Sequence, residues 1–211
     1  MASKPVRENA WLARAKRLMA LAQTGLAYAS NDYERDRYRE LESLSLKMMA
    51  DLTGETVGKI KPFFEGNRGY QTPKVDVRAG VFRRGKILLV REKADGRWAP
   101  PGGFADIGYS PARTVAKETR EETGLKVEPT RLIAVLDKTL HPHPPSPFHI
   151  YKLMFLCRER GGTLEPGWEI LDVAFFDRTK LPPLSRERIT RGQIGLFYKF
   201  LKRPGSKIVF D

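Results

Sequence analysis

The chain is poor in the residues that staple, span or chelate. Its one cysteine, Cys157, among 211 residues excludes an intramolecular disulfide, and its place in the apolar run YKLMFLC marks it as a packing thiol. No apolar run approaches the roughly 18 residues that cross a bilayer. The N-terminal stretch MASKPVRENAW carries charge but no hydrophobic segment, so neither insertion nor export is expected, and the cytoplasm is the expected compartment. His141, His143 and His149 do not have the spacing of a zinc site, and the Pro-rich stretch HPHPPSP reads as the rim of a pocket. Internal repeats and low-complexity tracts are absent, as are tails of five or more basic residues.

What is present is the mixture of a globular protein, with 41% hydrophobic, 30% charged and 10% aromatic residues. Net charge is +13, from 38 Lys and Arg against 25 Asp and Glu. A field of that sign concentrates phosphorylated ligands, nucleic acid or anionic surfaces without choosing among them. Because the basic residues are spread along the chain, nucleic acid is not the expected partner.

The length fits one enzyme-sized body with an appendage. Residues 8–29 place Trp11, Leu12, Ala15, Leu18, Met19, Ala22 and Leu26 at helical spacing. Asn31 then caps a second helix with Glu34 three residues on; its stripe is Tyr38, Leu41, Ser45, Met48 and Leu52, and Gly54 stops it. Two helices bury too little to stand alone, so this hairpin needs a partner surface, either the rest of the chain or a second copy. Between residues 55 and 73 glycines and prolines accumulate and mark a linker, giving an expected helical domain over 1–66 and a second domain over 67–211. In VDVRAGVF, Val75, Val77, Ala79 and Val81 are expected inward, Asp76 and Arg78 outward; Arg84-Gly85 then turns into a second strand, KILLVRE. Strands at 131–136 and 148–157 and helices at 111–123 and 186–200 complete a mixed α/β domain.

The chemistry concentrates in APPGGFADIGYSPARTVAKETREETGL, residues 99–125. Ser110 suits an N-cap, Pro111 the first helical position and Gly124 the stop, so 111–123 is expected to be a helix. Glu118, Glu121 and Glu122 then share a face, where like charges repel unless a cation sits among them. Mg²⁺ or Mn²⁺ suits such oxygens and leaves room for water and substrate phosphates. Just upstream, the small residues of Pro100-Pro101-Gly102-Gly103 let backbone approach an ion, so the Gly102 carbonyl is a candidate further ligand.

These residues resemble the Nudix box. Its pattern is Gly, five residues, Glu, seven residues, Arg-Glu, an aliphatic, any residue, Glu-Glu, any residue, Gly and an aliphatic. Here it reads Gly103, five residues, Tyr109, seven residues, then Lys117-Glu118-Thr119-Arg120-Glu121-Glu122-Thr123-Gly124-Leu125. Tyr109, Lys117 and Thr119 depart from the pattern, and the first two are expected to be linked structural replacements. The hairpin and the motifs TPKVDVRAGVF, HPPSPFHIYKLMFLC and LPPLSRERITRGQI extend the resemblance to a bacterial Nudix subgroup with an N-terminal helical domain, which includes CDP-choline and ADP-ribose pyrophosphatases.

The resemblance implies an α/β/α sandwich with a mixed sheet, preceded by the helical hairpin. It further implies Mg²⁺- or Mn²⁺-dependent cleavage of a nucleoside diphosphate linked to another moiety, and homodimers in which the helical extension forms the interface or completes the pocket. By that resemblance Glu118 and Glu122 match metal ligands and Glu121 a third ligand or the base. Glu169, in PGWEILDVAFF, is the other candidate base, with Asp172 behind it. Arg78 and Arg91 are candidates for holding phosphate, since a guanidinium matches phosphate oxygens. Trp98 packs under the loop or stacks on a base. The competing expectations are an RNA 5′-pyrophosphohydrolase and a non-catalytic sensor of ADP-ribose-type nucleotides.

Overall fold

A computed structural model describes residues 9–66 and 69–211. The chain divides into two compact units, Arg7–Pro73 and a body that runs over Lys74–Asp211. The expected boundary between residues 66 and 67 adjoins Asn67 and Arg68, which lie outside the described residues.

The first unit is a helical hairpin. Helix α1 (Ala10–Tyr28) starts at Asn9, whose side chain accepts the Trp11 amide at 2.8 Å. Helix α2 (Asp32–Thr53) starts at Asn31, which accepts the Glu34 amide at 2.9 Å, and ends at Gly54 in the left-handed region. The Glu34 carboxylate reaches back to the Ser30 amide at 2.8 Å instead of closing on Asn31. Ala15 and Met19 pack against Leu46, Met49 and Ile60, so the buried face of α2 is rotated from the expected stripe, leaving Leu52 exposed. Ser45 accommodates burial by donating to the Ala15 carbonyl at 2.6 Å. The expected linker is partly helical, with α3 (Val57–Ile60) and a single 3-10 turn at Lys61–Phe63; Gln23 ties this stretch back to α1 by donating to the Phe64 carbonyl.

The second unit is a mixed sheet between helices. Its strands are β1 (Lys74–Arg83), β2 (Lys86–Glu92), β3 (Trp98–Ala99), β4 (Leu125–Asp137), β5 (Ile150–Gly162), β6 (Ile170–Phe176) and β7 (Val209–Phe210). They run in the order β3-β2-β1-β5-β4-β7, with β6 on β2. Strands β1 and β5 are parallel, with Asp76 opposite Lys152, whereas β4 and β5 are antiparallel. Arg84 and Gly85, both at positive φ, make the two-residue turn between β1 and β2.

Helix α4 (Pro111–Thr123) covers one face through Val115, packed with Val77, Ala79, Val81, Leu88 and Phe155. Helix α5 (Arg191–Lys202) covers the other through Ile194, Phe197 and Phe200, packed with Ile87, Leu89 and Met154. This is the α/β/α sandwich implied by the sequence. Cys157 is buried in the α4-side core, and burial pushes its thiol up to about 12.

Two further sequence expectations are corrected. Asp76 and Arg78 are buried, because β1 is an interior strand with both faces covered, so polar alternation does not point to solvent. The last helix begins at Arg191 and not at residue 186, because Thr190 and Gln193 form a reciprocal capping box there. Strand β6 occupies a stretch to which the sequence reading assigned no element.

Candidate active site

Helix α4 is fixed at both ends as its caps predict. The Ser110 side chain accepts the Arg113 amide at 3.3 Å, and Gly124 closes the last turn on the Arg120 carbonyl at 2.9 Å. Thr119 replaces an aliphatic residue on the buried face, and its hydroxyl is satisfied within the helix by the Val115 carbonyl at 2.7 Å. Lys117 reaches Glu121 at 2.9 Å, Glu118 at 3.4 Å and Asp106 at 3.7 Å. Its ammonium also lies 5.9 Å from the Tyr109 ring centroid. Tyr109 thus presents an aromatic face to Lys117, and to Arg113 at 5.0 Å, where the box has a carboxylate.

The Pro100–Gly103 segment runs along β1 like an added strand: Val77 donates to the Gly103 carbonyl, Ala79 to the Pro101 carbonyl and Ala105 to the Val75 carbonyl, at 2.8 to 2.9 Å. Gly102 has φ 142°, and a Cβ there would lie 2.0 Å from the Val77 carbonyl oxygen, so only glycine fits. Its amide donates to the Glu122 carboxylate at 2.9 Å. A Cβ on Gly103 would lie 2.8 Å from Glu118 Oε2. Two of the three box carboxylates, Glu118 and Glu122, thus face a glycine backbone stripped of side chains.

Burial pushes the Glu122 carboxyl up to about 8, with Glu92 and Glu118 adding to the rise and Arg78 and the Gly102 amide opposing it. Burial also raises Glu118, against the pull of Lys117. Carboxyls held together at this cost suit a hard cation. Among the described residues no three His, Cys, Asp or Glu side chains form a ready cage. The arrangement offers two carboxylates and nearby backbone, which fits an ion that takes its remaining ligands from water and phosphate. Glu121 is exposed and turned to Lys117.

The other expected site residues scatter. Glu169 is exposed on a segment anchored to the end of α4, where Glu165 donates to the Thr123 carbonyl and Gly167 to the Glu122 carbonyl. Its charge lies close enough to help raise buried Glu92. Asp172 is exposed on β6 beside Arg91. Arg91 is exposed and donates to the Gly96 carbonyl at 3.0 Å within its own hairpin, without contact to the box carboxylates. Arg78 is buried, with its guanidinium on Asp76 and the Pro100 carbonyl. Trp98 packs edge-on against Phe176 at 4.7 Å in the α5-side core.

Sequence reasoning gave no role to Asp76 or, beyond its place in the pair Tyr151-Lys152 of which one member would face the substrate, to Lys152, nor to Glu92 and Arg188. Lys152, on β5, is fully buried and pairs with Asp76. Arg188 meets Glu92 at 2.9 Å and, through Ser185, the Asp95 carboxylate. A charged residue flanked by apolar neighbours on an interior strand was the available signal for the first two.

Comparison with known proteins bears on this geometry. A family model described as the NUDIX domain matches residues 72–196. The chain belongs to the Nudix family. A second model, described as a UDP-X-like N-terminal oligomerisation domain, matches residues 9–64. YjhB of Bacillus subtilis (strain 168), which bears an ADP-ribose pyrophosphatase name by assignment, is 48% identical over 204 residues, covering 97% of this chain and 98% of its own. An ADP-ribose pyrophosphatase of Methanocaldococcus jannaschii is 32% identical across 56% of this chain and 70% of its own. Among solved structures, a UDP-X diphosphatase matches with TM-score 0.63 and 33% identity over 95% of this chain and 98% of its own. An ADP-ribose pyrophosphatase from Streptococcus suis 89-1591 matches with TM-score 0.62 and 39% identity over 66% of this chain and 100% of its own. This Nudix chain is a pyrophosphohydrolase similar to proteins named ADP-ribose pyrophosphatases, and Nudix hydrolases as a class work with divalent cations. Among the described residues no helix is long and apolar enough to cross a membrane.

Proposed function

We propose that this Nudix enzyme hydrolyses the diphosphate of ADP-ribose or a CDP-choline-like compound, giving a nucleoside monophosphate and a phosphorylated second moiety. Mg²⁺ or Mn²⁺ is the cofactor. The observation that carries this reading is the Gly102 amide on Glu122, with Glu118 under Gly103. Glu118, Glu122 and the Gly102 carbonyl would hold the cation, with Glu121, paired here with Lys117, as the further candidate ligand. When bound, the cation neutralises phosphoryl oxygens and acidifies water. Glu169, anchored against the end of α4, takes the proton as water attacks phosphorus, and the P–O–P bond breaks with the other phosphate leaving. Arg91 is the exposed guanidinium offered to the substrate's phosphates.

The helical unit forms a homodimer interface or completes the pocket. Its apolar side chains Trp11, Leu21, Tyr33 and Leu44 are exposed, and the family model that it matches is described as an oligomerisation domain.

The test is product detection across ADP-ribose, CDP-choline, a UDP-sugar and a 5′-triphosphorylated RNA, with Mg²⁺ and with Mn²⁺. Metal-dependent release of a nucleoside monophosphate from a nucleoside diphosphate derivative is the expected result. Turnover of RNA alone would overturn the substrate class.

A further inference from the structure

The geometry points to Arg78 as a positioning residue, aligned by Asp76 and Lys152, that sets the Gly102 amide for Glu122 instead of touching substrate phosphate. Three strands of observation meet here. First, the guanidinium is already engaged: Nη2 and Nε donate to the two Asp76 oxygens at 2.7 and 3.2 Å, and Nη1 donates to the Pro100 carbonyl at 3.2 Å. Its side chain is 5% exposed, so a phosphate would have to displace buried partners to reach it. Secondly, the Asp76 carboxylate is itself held from the neighbouring strand. Lys152 stands opposite Asp76 in the parallel β1–β5 register and donates to its Oδ2. With both oxygens occupied, Asp76 presents one edge to Arg78, and the guanidinium plane follows.

Thirdly, the carbonyl that Arg78 captures lies two residues before Gly102, and Pro100 and Pro101 each fix φ. Holding the Pro100 oxygen on a stiff Pro-Pro segment therefore directs the Gly102 amide, which meets Glu122 at 2.9 Å. The β1 amides of Val77 and Ala79 fix the segment's height along the strand; Arg78 adds a side-chain tie to the same segment. An interior strand thus sets the backbone that faces the box carboxylates. The inference rests on the reading of Glu118 and Glu122 as the cation site.

The test compares wild type, Arg78→Lys and Asp76→Asn. Lysine keeps the charge but cannot hold a carboxylate edge and a carbonyl at once. Mn²⁺ binding without nucleotide is followed by the electron paramagnetic resonance of the free ion, alongside steady-state kinetics on ADP-ribose and the amide resonance of Gly102. Both variants are expected to bind Mn²⁺ roughly tenfold or more weakly, to move the Gly102 amide and to lower kcat more than they raise KM. Unchanged Mn²⁺ affinity with a raised KM would mark a phosphate contact and overturn the inference. If wild type itself bound no Mn²⁺ while Glu122→Gln behaved identically, the reading of the cation site would fall and this inference with it. Should neither variant fold, wild type carries the test through its Arg78 Nε–H resonance. That resonance is expected to stay in place when a non-hydrolysable ADP-ribose analogue is added with Mg²⁺, and its movement would overturn the proposal.

Discussion

Glu122 sits where a carboxylate is costly: largely removed from water, with Glu92 and Glu118 nearby and one amide and one guanidinium in compensation. A raised carboxyl means that the folded metal-free chain resists ionisation at this position, so an ionised carboxylate here costs the native state stability. Glu122→Gln keeps the shape and the Gly102 contact but removes the charge. Turnover with Mg²⁺ or Mn²⁺ is expected to fall by at least roughly a hundredfold, because neutralisation at phosphoryl oxygens is worth several kcal/mol. Melting of the same variant in chelator is expected at an equal or higher temperature than wild type. Loss of activity accompanied by a lower Tm would instead mean that Glu122 is a folding residue. The box residues were legible in the sequence because spacing on one helix is local. Asp76 and Lys152 were not, because they meet across 76 positions on different strands, and a lone charge in an apolar run reads as solvent-facing until the strand's neighbours are known.

Elements with their own punctuation were legible, and those defined by partners were not. Helix α4 was expected over its observed span because Ser110, Pro111 and Gly124 mark its ends within the helix's own sequence. Strand β6 exists only because β2 offers an edge, and the start of α5 is set by a capping box that follows the Ser185–Ile189 turn. The segment between β4 and β5 was read as a pocket rim and carries its own titration. There His141 meets Asp211 and His149 meets Asp137, while His143 is buried, donates from Nδ1 to the Arg186 carbonyl at 2.7 Å and leaves Nε2 without a hydrogen-bond partner. Burial pulls the His143 imidazole down to about 4, with Lys152 and Lys138 opposing a further positive charge. An unfolded histidine protonates near 6.5, so between pH 6.5 and 4 the unfolded state binds the extra proton. This contribution is thus fully present above about pH 6.5 and is lost as pH falls toward 4, by up to about 3 kcal/mol. Denaturant unfolding at intervals from pH 7.5 to 4 should show that loss in wild type and a flatter profile in His143→Leu. Parallel profiles would assign the acid sensitivity to other groups.

At the scale of the whole molecule, the helical unit and the charge act separately. The core of the hairpin is small, with Ala15, Met19, Leu46, Met49 and Ile60 at its centre, while several large apolar side chains of the same unit remain exposed. A domain of this size gains most of its stability from what covers it. Light scattering on the full chain is therefore expected to give twice the 24.0 kDa chain mass, and a chain begun at residue 66 to be monomeric or insoluble. A soluble dimer from the shortened chain would move the interface to the sheet-bearing unit.

The +13 net charge acts over distance and so is screened, within about 8 Å at physiological ionic strength. A small nucleotide with a doubly charged diphosphate feels this field mainly on approach, so raising salt from 50 to 500 mM should increase KM for ADP-ribose a few-fold and leave kcat unchanged. A polynucleotide behaves otherwise, since each phosphate neutralised releases counterions and the logarithm of affinity falls by about 0.7 per contact for each decade of salt. For an RNA touching five phosphates, the same tenfold change in salt would cost more than three orders of magnitude in affinity. The salt slope of kcat/KM thus separates the two substrate classes that the charge alone leaves open: a shallow slope on ADP-ribose is the expected result, and a steep one on 5′-triphosphorylated RNA with comparable turnover at low salt would reassign the enzyme.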